Sequence, residues 1–444
     1  MDHSVPNKLL DELSKAAEIV RGHNFIHVFS HYDADGIASA GIVTKTLLRE
    51  GKDFTTTLLT TLDDTTFEQI RNCGAECVII SDLGASYIEE LDAMPCDVVV
   101  LDHHTVCAEA SRICYANPHL YGIDGMRHGC GSTMACLFAI RMDHRNWDLV
   151  QVAFAGMYGD RQEMEGLNGF LLDGALKRGL IKAESGSVVP RGKLTDELYL
   201  STEPYVRGVS GNAEGVAALL KDAGIPRDAV GSGLSDEERR RLSSLIFLKL
   251  AEQGVAADTM EITSGTRYAL RDWGLDSAGL ASLFDSCGRC GQTGMGVAVA
   301  CGDRDSIESA ADIEREYRRE VVQSATALDG RGLNQMSSVQ WFDSTRSGYT
   351  GVLCGIAMSY FGDHSKPTFG INSSDETAKV SGRATGKLLA KGADLSSALR
   401  DACSAVGGTG GGHRIASGGS FPSARTDDFV KKLNDIVGAQ VSAR

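Results

Sequence analysis

The sequence lacks any long apolar run, and this absence limits the kinds of protein it can encode. No stretch near its start has signal-peptide composition, and none approaches the roughly 18 apolar residues of a membrane-spanning helix. With 42% hydrophobic and 23% charged residues among 444, the composition is ordinary for a globular protein of two or three domains. We therefore expect a cytoplasmic protein with no membrane partner.

Aromatic residues and paired cysteines are also scarce. Aromatic side chains make up 6% of the chain, so any binding of nucleic acid should depend on the backbone more than on base stacking. Among 12 cysteines there is one Cys-x-x-Cys pair, Cys287 and Cys290, and no second pair completes a structural zinc site. Most of the cysteines are expected to be small, reduced, buried side chains.

Positive charge is scarce in the chain as a whole but not in one segment near its end. The net charge of −15 argues against a general nucleic-acid-coating protein, although a local basic groove is compatible with it. Residues 379–425 carry seven Lys and Arg against two Asp, a local net charge of +5. We expect them to form a basic patch; the seven cations are Lys379, Arg383, Lys387, Lys391, Arg400, Arg414 and Arg425.

The sequence does contain a regular alternation of strand and helix patterns in its first 165 residues. Near-continuous apolar runs separated by helices are typical of a parallel sheet that is covered on both faces. Strands are predicted at 25–29, 54–59, 77–82 and 97–102, and helices at 8–21, 131–142 and 147–158.

The remainder of the chain has a different composition. Residues 166–260 are charged and helical, and a helix is predicted over 235–253 with Ser235 and Glu238 forming a capping box. A long charged helix is predicted over 307–327. Beyond residue 336, strands are predicted at 352–357 and 367–371, and a glycine-rich segment follows.

Carboxylate and imidazole side chains follow the predicted strands of the first region. Because the carboxyl ends of parallel strands meet at one edge of a sheet, these side chains should converge there. Oxygen and imidazole donors without thiolate favour Mn²⁺ or Mg²⁺, and two such ions can share a water and a phosphoryl group. The alternative is an ordinary helix start with Asp35 as the N-cap. The residues are His31, Asp33, Asp35, Asp82, Asp102, His103, His104 and Asp160.

Two glycine-containing segments are candidates for binding phosphate. Residues 129–133 precede a helix, so Ser132, Thr133 and free N–H groups could hold a phosphate, or could simply cap the helix. In the segment from Gly410 to His413, glycine allows the backbone to approach a ligand closely.

Taken together, these stretches resemble the DHH phosphoesterase superfamily, and within it the RecJ-like exonucleases, especially the archaeal ones. The matching motifs are His31–Gly36, the strand that ends at Asp82, Asp102-His103-His104 and Gly159–Gln162. Leu283–Arg289 resembles the RecJ-type segment that ends in Gly-Arg. Ser381–Arg383 and Gly410–Gly418 resemble motifs of the DHH-associated C-terminal domain.

The resemblance implies a role for each matching residue. His31 departs from the pattern, because phosphatase-like members place a histidine four residues before the first aspartate and here it lies two before. Asp82 is the implied bridging ligand, and Asp102 either binds metal or orients a histidine. The implied metal ligands are His31, Asp33, Asp35, Asp82, His103 and Asp160; the catalytic residues are His104 and Asp102; the substrate-binding residues are Ser132, Thr133, Arg289, Arg383, Gly411, Gly412 and His413.

The resemblance also implies a fold and a reaction. We expect an α/β protein with a DHH catalytic domain at 1–165, a helical connecting region at 166–330 and a smaller α/β DHH-associated domain at 331–444, with the active site in the cleft between domains. The implied activity, with two Mn²⁺ or alternatively Mg²⁺, is release of mononucleotides from single-stranded DNA or RNA, with a GINS-type replication complex as partner. The alternatives are a small-nucleotide phosphodiesterase and a largely non-catalytic partner of a replicative helicase.

Overall fold

The computed structural model describes residues 4–263, 265–344 and 347–442. The chain forms two compact units, and each unit uses two separated segments of sequence. Unit 1 comprises the residues up to Ser185 together with Thr266–Glu314, and unit 2 comprises Gly186–Gly265 together with the residues from Arg315 onward. The segment predicted as a connecting region, 166–330, is therefore divided between the two units.

Unit 1 contains a sheet of five parallel strands. The four strands predicted in this region are confirmed to within two residues, and a short fifth strand was not predicted. The sheet order is β2-β1-β3-β4-β5, and the strands are β1 Phe25–His31, β2 Asp53–Leu59, β3 Cys77–Ser81, β4 Asp97–Leu101 and β5 Cys114–Ala116.

Eight α-helices accompany this sheet within the described residues 4–177. Alternate strand residues enter two different cores: Val28 and Ile79 pack on one face, and Phe29 and Ile80 on the other. This burial on both faces explains why the strands are apolar throughout. The helices are α1 Asn7–Gly22, α2 Ala34–Arg49, α3 Asp64–Asn72, α4 Ile88–Asp92, α5 Gly125–His128, α6 Gly131–Met142, α7 Val150–Gly159 and α8 Gly166–Lys177.

The first segment of unit 2 is helical. Its longest helix confirms the predicted capping box: the Ser235 hydroxyl accepts from the Glu238 N–H, and the Glu238 carboxylate accepts from the Ser235 N–H. The helices are α9 Leu194–Tyr199, α10 Ala213–Asp222, α11 Asp236–Glu252 and α12 Ala257–Thr263.

The chain then returns to unit 1 at Thr266, where it pairs with a strand that precedes the first segment of unit 2. Strand β6, Ile181–Glu184, pairs in antiparallel fashion with β7, Arg267–Leu270. Helices α13, Ser277–Arg289, and α14, Thr293–Ala300, both contact α2. The predicted long helix is α15, Asp305–Arg331, which contributes residues to both units.

The last part of unit 2 is a mixed sheet with helices. Its strand order is β12-β13-β11-β10-β9-β8, and β9 and β10 are parallel. The strands are β8 Asn334–Gln335, β9 Gln340–Asp343, β10 Thr368–Asn372, β11 Thr377–Arg383, β12 Thr409–Gly412 and β13 Ala416–Pro422; the helices are α16 Thr350–Ile356, α17 Gly386–Ala390, α18 Leu395–Ala405 and α19 Thr426–Ser442.

One predicted strand in unit 2 is wrong. Residues 352–357 lie mainly in helix α16, which buries Thr350, Leu353 and Cys354 at helical spacing and packs on β10 and β11. A short apolar run fits a buried helix as well as a buried strand, so its pattern alone does not decide between them. The strand predicted at 367–371 is confirmed as β10. Among the residues described, no helix is both long enough and apolar enough to span a membrane.

Candidate metal centre

His31, the last residue of β1, and Asp33, in the turn before α2, are two of the predicted ligands. The helix begins at Ala34, and Asp33 is its N-cap, with Oδ1 accepting from the Gly36 N–H at 3.0 Å. The other oxygen of Asp33 lies 2.9 Å from Nδ1 of His31. The alternative in which Asp35 caps the helix is therefore wrong, since Asp35 lies in the first turn. The pKa of His31 is raised, because its ion pair with Asp33 outweighs the lowering effect of burial.

Asp35 is buried and held by the start of helix α6. Its Oδ2 accepts from the Gly131 N–H at 2.7 Å, and its Oδ1 accepts from the Ser132 N–H at 3.0 Å. The positive end of the helix dipole favours this carboxylate. Glycine is required around it, because a Cβ at Gly131 or Gly156 would lie 2.9 Å or 2.3 Å from its oxygens. The two N–H groups and the close packing of Gly131 and Gly156 thus fix Asp35 in place.

The same contacts correct the interpretation of residues 129–133 as a phosphate-binding segment. The two N–H groups that would have faced a phosphate donate to Asp35 instead. Ser132 and Thr133 are fully buried, and their hydroxyls donate to the carbonyl of Ala153 at 3.1 Å and to Asn168 Oδ1 at 2.6 Å. Ser132 and Thr133 therefore support Asp35 from within the core, and the prediction that they bind substrate is wrong.

Asp82 lies between two sets of candidate ligands. It follows β3 with a left-handed φ of 56°, a conformation that is uncommon for a residue other than glycine and is often retained at functional sites. Its Oδ1 lies 3.3 Å from Nε2 of His103, and its Oδ2 lies 3.7 Å from Nδ1 of His31. Burial, and then repulsion by Asp35, raises the pKa of Asp82 well above its usual range.

His103 is oriented toward the carboxylates by a backbone carbonyl. Its Nδ1 lies 2.9 Å from the oxygen of Gly125, which can only accept, so Nδ1 carries the proton. Its Nε2 lies 3.3 Å from Asp82 and 3.3 Å from Asp160. A metal-binding histidine is commonly held in this way. Burial, and then the charge of Asp35, raises the pKa of Asp160 to about 7.

Asp102 and His104 form a separate pair beside these ligands. The Asp102 carboxylate is completely buried, and its Oδ1 lies 2.8 Å from Nδ1 of His104. It also accepts from the N–H groups of Ala85 and His103, each at 2.7 Å. With its oxygens occupied in this way, Asp102 fits the orienting role better than that of a ligand. Although burial opposes it, Asp102 raises the pKa of His104 to about 9.

The donor set fits a hard divalent cation. Ligand atoms lie within 4.8 Å of one another in the set His31, Asp33 and Asp82, and also in the set Asp35, His103 and Asp160. All are carboxylate oxygens or imidazole nitrogens, which suit Mn²⁺ and Mg²⁺. Four carboxylates crowded together would otherwise repel one another. In the described part of the chain no cysteine belongs to such a set, and seven of the 12 cysteines are buried.

Arg289 lies close enough to this centre to affect it. The preceding Gly288 packs on the turn after β1, where a Cβ would lie 1.8 Å from the carbonyl oxygen of Tyr32. Arg289 itself donates to Asp285 at 2.6 Å. The pKa of Asp33 is held below its usual range despite burial, chiefly by His31 and in part by Arg289.

The other predicted substrate-binding residues lie together in unit 2. Arg383 ends β11 and is paired in register with Ala416 of β13. Gly411 and Gly412 end β12, and the His413 N–H donates to the Ala416 carbonyl at 2.9 Å in the turn that follows. Arg383 and the glycine segment are thus brought to one end of the same sheet.

The predicted basic patch is partly neutralised within unit 2. Four of its seven cations are paired with carboxylates: Lys387 with Asp258 at 2.9 Å, Arg400 with Asp401 at 3.1 Å, Arg414 with Asp394 at 3.0 Å and Arg425 with Asp428 at 2.8 Å. Asp394 and Asp401 are already subtracted in the local charge of +5, so the pairs with Asp258 and Asp428 reduce that charge to +3.

Sequence reasoning missed two buried residues behind the ligands. Gln162 donates to the Gly125 carbonyl that orients His103, and Asn168 contacts Gln162. Gln162 lies two residues after Asp160 in the same motif, and this position could have predicted its role near the site. Asn168 lies in helix α8 and had no such signal.

Comparison with known families agrees with this geometry. Residues 25–157 match the DHH family, N-terminal domain, and residues 340–439 match the DHHA1 domain, together more than half of the chain. The chain belongs to the DHH superfamily. Its parallel sheet, helical region and mixed C-terminal sheet form a RecJ-like architecture, as predicted.

Three relatives show how far the likeness extends. An uncharacterized protein of Methanocaldococcus jannaschii is 27% identical over 98% of each chain. RecJ of Thermus thermophilus, solved with Mn²⁺, is 15% identical with a TM-score of 0.62; the match covers 98% of this chain and 55% of that one, so this chain spans about half its length. CDC45 of Entamoeba histolytica is 11% identical with a TM-score of 0.67, over 97% of this chain and 99% of that one.

Proposed function

We propose that this DHH protein is a two-metal phosphodiesterase that acts as an exonuclease on single-stranded DNA or RNA and releases mononucleotides. The observation that carries the proposal is the position of Asp82, whose two oxygens face His103 in one direction and His31 in the other. One carboxylate between two sets of nitrogen and oxygen donors suits a bridging ligand for two divalent ions. The likeness to an Mn²⁺-bound RecJ favours manganese.

The residues around Asp82 have distinct roles in this proposal. His31 and Asp33 would hold one ion and Asp35, His103 and Asp160 the other. Such ions supply water activation and neutralise charge on the phosphoryl group. The His104 imidazole, oriented by Asp102, would contact the scissile phosphate and donate a proton to the leaving oxygen.

Two groups of predicted residues are proposed to bind substrate. Arg289 would contact phosphate near Asp33, whose pKa it already lowers. Arg383, Gly411, Gly412 and His413 would contact the sugar-phosphate backbone, because glycine permits close approach and guanidinium pairs well with phosphate. The inter-domain cleft and the association with a GINS-type replication complex remain predictions from the resemblance.

Two other functions compete with this proposal. The small-nucleotide phosphodiesterase has the same metal chemistry and differs in substrate length. The non-catalytic helicase partner is favoured by the likeness in fold to CDC45. Against it, every acidic position of the motif is filled, and these carboxylates converge with His31 and His103.

An assay of substrate length distinguishes the three functions. End-labelled single strands of DNA and RNA, blunt duplexes and dinucleotides are incubated with Mn²⁺ or with chelator, and the products are resolved by length. We expect stepwise, Mn²⁺-dependent shortening of single strands that a hairpin at the digested end blocks. The matched controls are Asp82→Asn, which should be inactive, and Asp64→Asn, an exposed carboxylate in α3 that should retain activity.

The other outcomes of this assay are equally informative. Cleavage confined to dinucleotides would favour the small-nucleotide enzyme, and equal digestion of blunt duplexes would contradict single-strand specificity. No hydrolysis of any substrate despite bound metal would favour the non-catalytic partner.

A further inference from the structure

Asn168 occupies an unusual position for a residue outside every predicted motif. It lies in helix α8, beyond the DHH match that ends at residue 157, and it is fully buried. A buried side-chain amide is costly unless its donors and its acceptor are all bonded. The bonds that Asn168 makes therefore indicate what it holds in place.

All the polar atoms of the Asn168 side chain are used. Its Nδ2 donates to Oε1 of Gln162 at 3.0 Å and to the carbonyl of Glu163 at 2.9 Å. Its Oδ1 accepts from the Thr133 hydroxyl at 2.6 Å. Since both a donor and an acceptor are needed, neither a carboxylate nor an apolar side chain can replace this amide without leaving partners unbonded.

Through Gln162, these bonds reach one proposed ligand, His103, and the segment of chain that carries another, Asp160. The Gln162 Nε2 donates at 3.2 Å to the carbonyl of Gly125, which also accepts from Nδ1 of His103 at 2.9 Å. The Gln162 side chain thus fixes the carbonyl that sets the orientation of His103. Gln162 is also two residues from Asp160, so the amide that anchors it fixes the backbone that carries this carboxylate.

Through Thr133, the bonds reach a third ligand. The Thr133 hydroxyl lies 3.4 Å from the thiol of Cys130, and this thiol donates to Oδ1 of Asp35 at 3.1 Å. The Asp35 carboxylate also accepts from the first N–H groups of helix α6, which carries Thr133. Within the described part of the chain, the hydrogen bonds of Asn168 lead to Asp35 and His103, and Asp160 lies two residues from Gln162; none of these bonds is made by the side chain of His31 or Asp33.

We propose that Asn168 is a positioning residue for one metal site only, the site formed by Asp35, His103 and Asp160. This inference rests on the proposed two-metal centre. Loss of a hydrogen-bonding partner behind the ligands typically lowers metal affinity about 10- to 100-fold. Asn168→Leu should therefore weaken binding of one Mn²⁺ by about that factor and leave the other nearly unchanged.

The test is a titration of the metal-free protein with Mn²⁺. Binding is measured by calorimetry and by the electron paramagnetic resonance signal of Mn²⁺. The matched control is Asn146→Leu. Asn146 is another fully buried asparagine of unit 1, which accepts from Arg49 at 2.7 Å and donates to the carbonyl of Ala139 at 2.8 Å. We expect two binding steps in the wild type and in the control, and one weakened step in Asn168→Leu.

Two further variants keep the test decisive if Asn168→Leu does not fold. Thr133→Val removes the bond toward Asp35, and Gln162→Met removes the bond toward His103; each should weaken the same step. Unchanged affinities in these variants would overturn the inference, and so would equal weakening of both steps. If the wild type binds fewer than two Mn²⁺, the two-metal centre itself fails, and this outcome is distinct from the others.

Discussion

Nδ1 of His104 lies 2.8 Å from Oδ1 of Asp102, a carboxylate with no exposed surface. This contact fixes the tautomer of the imidazole, because an ionised carboxylate can only accept a hydrogen bond. The rest of the Asp102 carboxylate is bonded to backbone N–H groups, including that of Ala85. We therefore expect Asp102 to act through His104.

Asp102→Asn should separate the chemical step from metal binding. The amide keeps the size of the side chain but places an N–H group toward His104 or toward a backbone N–H, so the imidazole loses its fixed orientation. We expect kcat to fall by about 10²-fold or more with little change in Mn²⁺ stoichiometry. The measurement is a comparison of steady-state kinetics with metal titration; loss of the metal itself would show that Asp102 is a ligand.

Asp82→Asn should change thermal stability in opposite directions with and without metal. Without metal, removing one of four crowded carboxylates relieves repulsion, and asparagine tolerates the left-handed backbone of this position. The midpoint of unfolding should therefore rise. With saturating Mn²⁺ the wild type should gain stability by about 3 kcal/mol at 100 times Kd, and the variant should gain much less. Equal stabilisation of both proteins by Mn²⁺ would contradict the central position of Asp82.

Gly288→Ala should disturb the approach of helix α13 to the turn after β1. The added methyl group would overlap the Tyr32 carbonyl oxygen, at a cost of about 1–3 kcal/mol, and would displace Arg289. We expect a lower unfolding midpoint and a higher KM. Gly294→Ala is the matched control, because nothing lies within 4 Å of its added carbon and alanine favours the helix. If both variants behave alike, the close approach at Gly288 has no functional consequence.

Arg383→Gln should reduce the dependence of substrate binding on salt. Each phosphate contact on a single strand contributes about −0.7 to the slope of log affinity against log salt, and the variant should lose about one such contact. The control is Arg414→Gln, whose guanidinium is already paired with Asp394 at 3.0 Å. Binding of a labelled single strand to each protein at several salt concentrations measures the slopes. An unchanged slope for Arg383→Gln would remove this residue from the binding surface.

Asp92 should make the free energy of unfolding decrease as the pH falls into the acidic range. Partial burial alone would raise its pKa, but hydrogen bonds from Ser111, Arg112 and Ile113 lower the pKa to about 2. Because the folded pKa is below the unfolded value near 4, the stabilisation is present above pH 4 and is lost as the pH falls toward 2.

The check is a comparison of wild type with Asp92→Asn by urea unfolding at several pH values. The wild type should be more stable by about 1 kcal/mol at pH 7, because the ionised carboxylate accepts these bonds more strongly in spite of solvent screening. The difference should shrink at pH 3. A difference that does not vary with pH would show that the charge of Asp92 is unimportant.

The sheet and the convergence of most candidate ligands were predictable from sequence because their signals are local. Apolar runs such as Cys77–Ser81 are buried on both faces, so their composition identifies them without knowledge of their neighbours. The candidate ligands Asp33, Asp82 and His103 follow such runs within two residues, and parallel topology then brings the strand ends together. The prediction required only the pattern of strands and the chemistry of the side chains.

The features that sequence reasoning missed depend on contacts between distant segments. Helix α16 and a strand would have the same short apolar composition, and packing on β10 and β11 decides between them. From sequence, the Ser132 N–H is available to a phosphate. In the structure it donates to the carboxylate of Asp35, which lies 97 residues earlier in the chain. The role of Asn168 was not predictable for a similar reason, because its hydroxyl partner, Thr133, lies 35 residues earlier in the chain.

The return of the chain to unit 1 constrains how this protein can be made and dissected. Helices α13 and α14 are synthesised after the whole first segment of unit 2, yet Ala300 packs beside Gly41 and Gly288 beside Tyr32. During translation, the side of α2 that they cover must stay exposed while about 80 intervening residues emerge. A fragment cut at the DHH boundary, residue 157, would lack both helices permanently and leave this side of α2 exposed, so we expect it to aggregate.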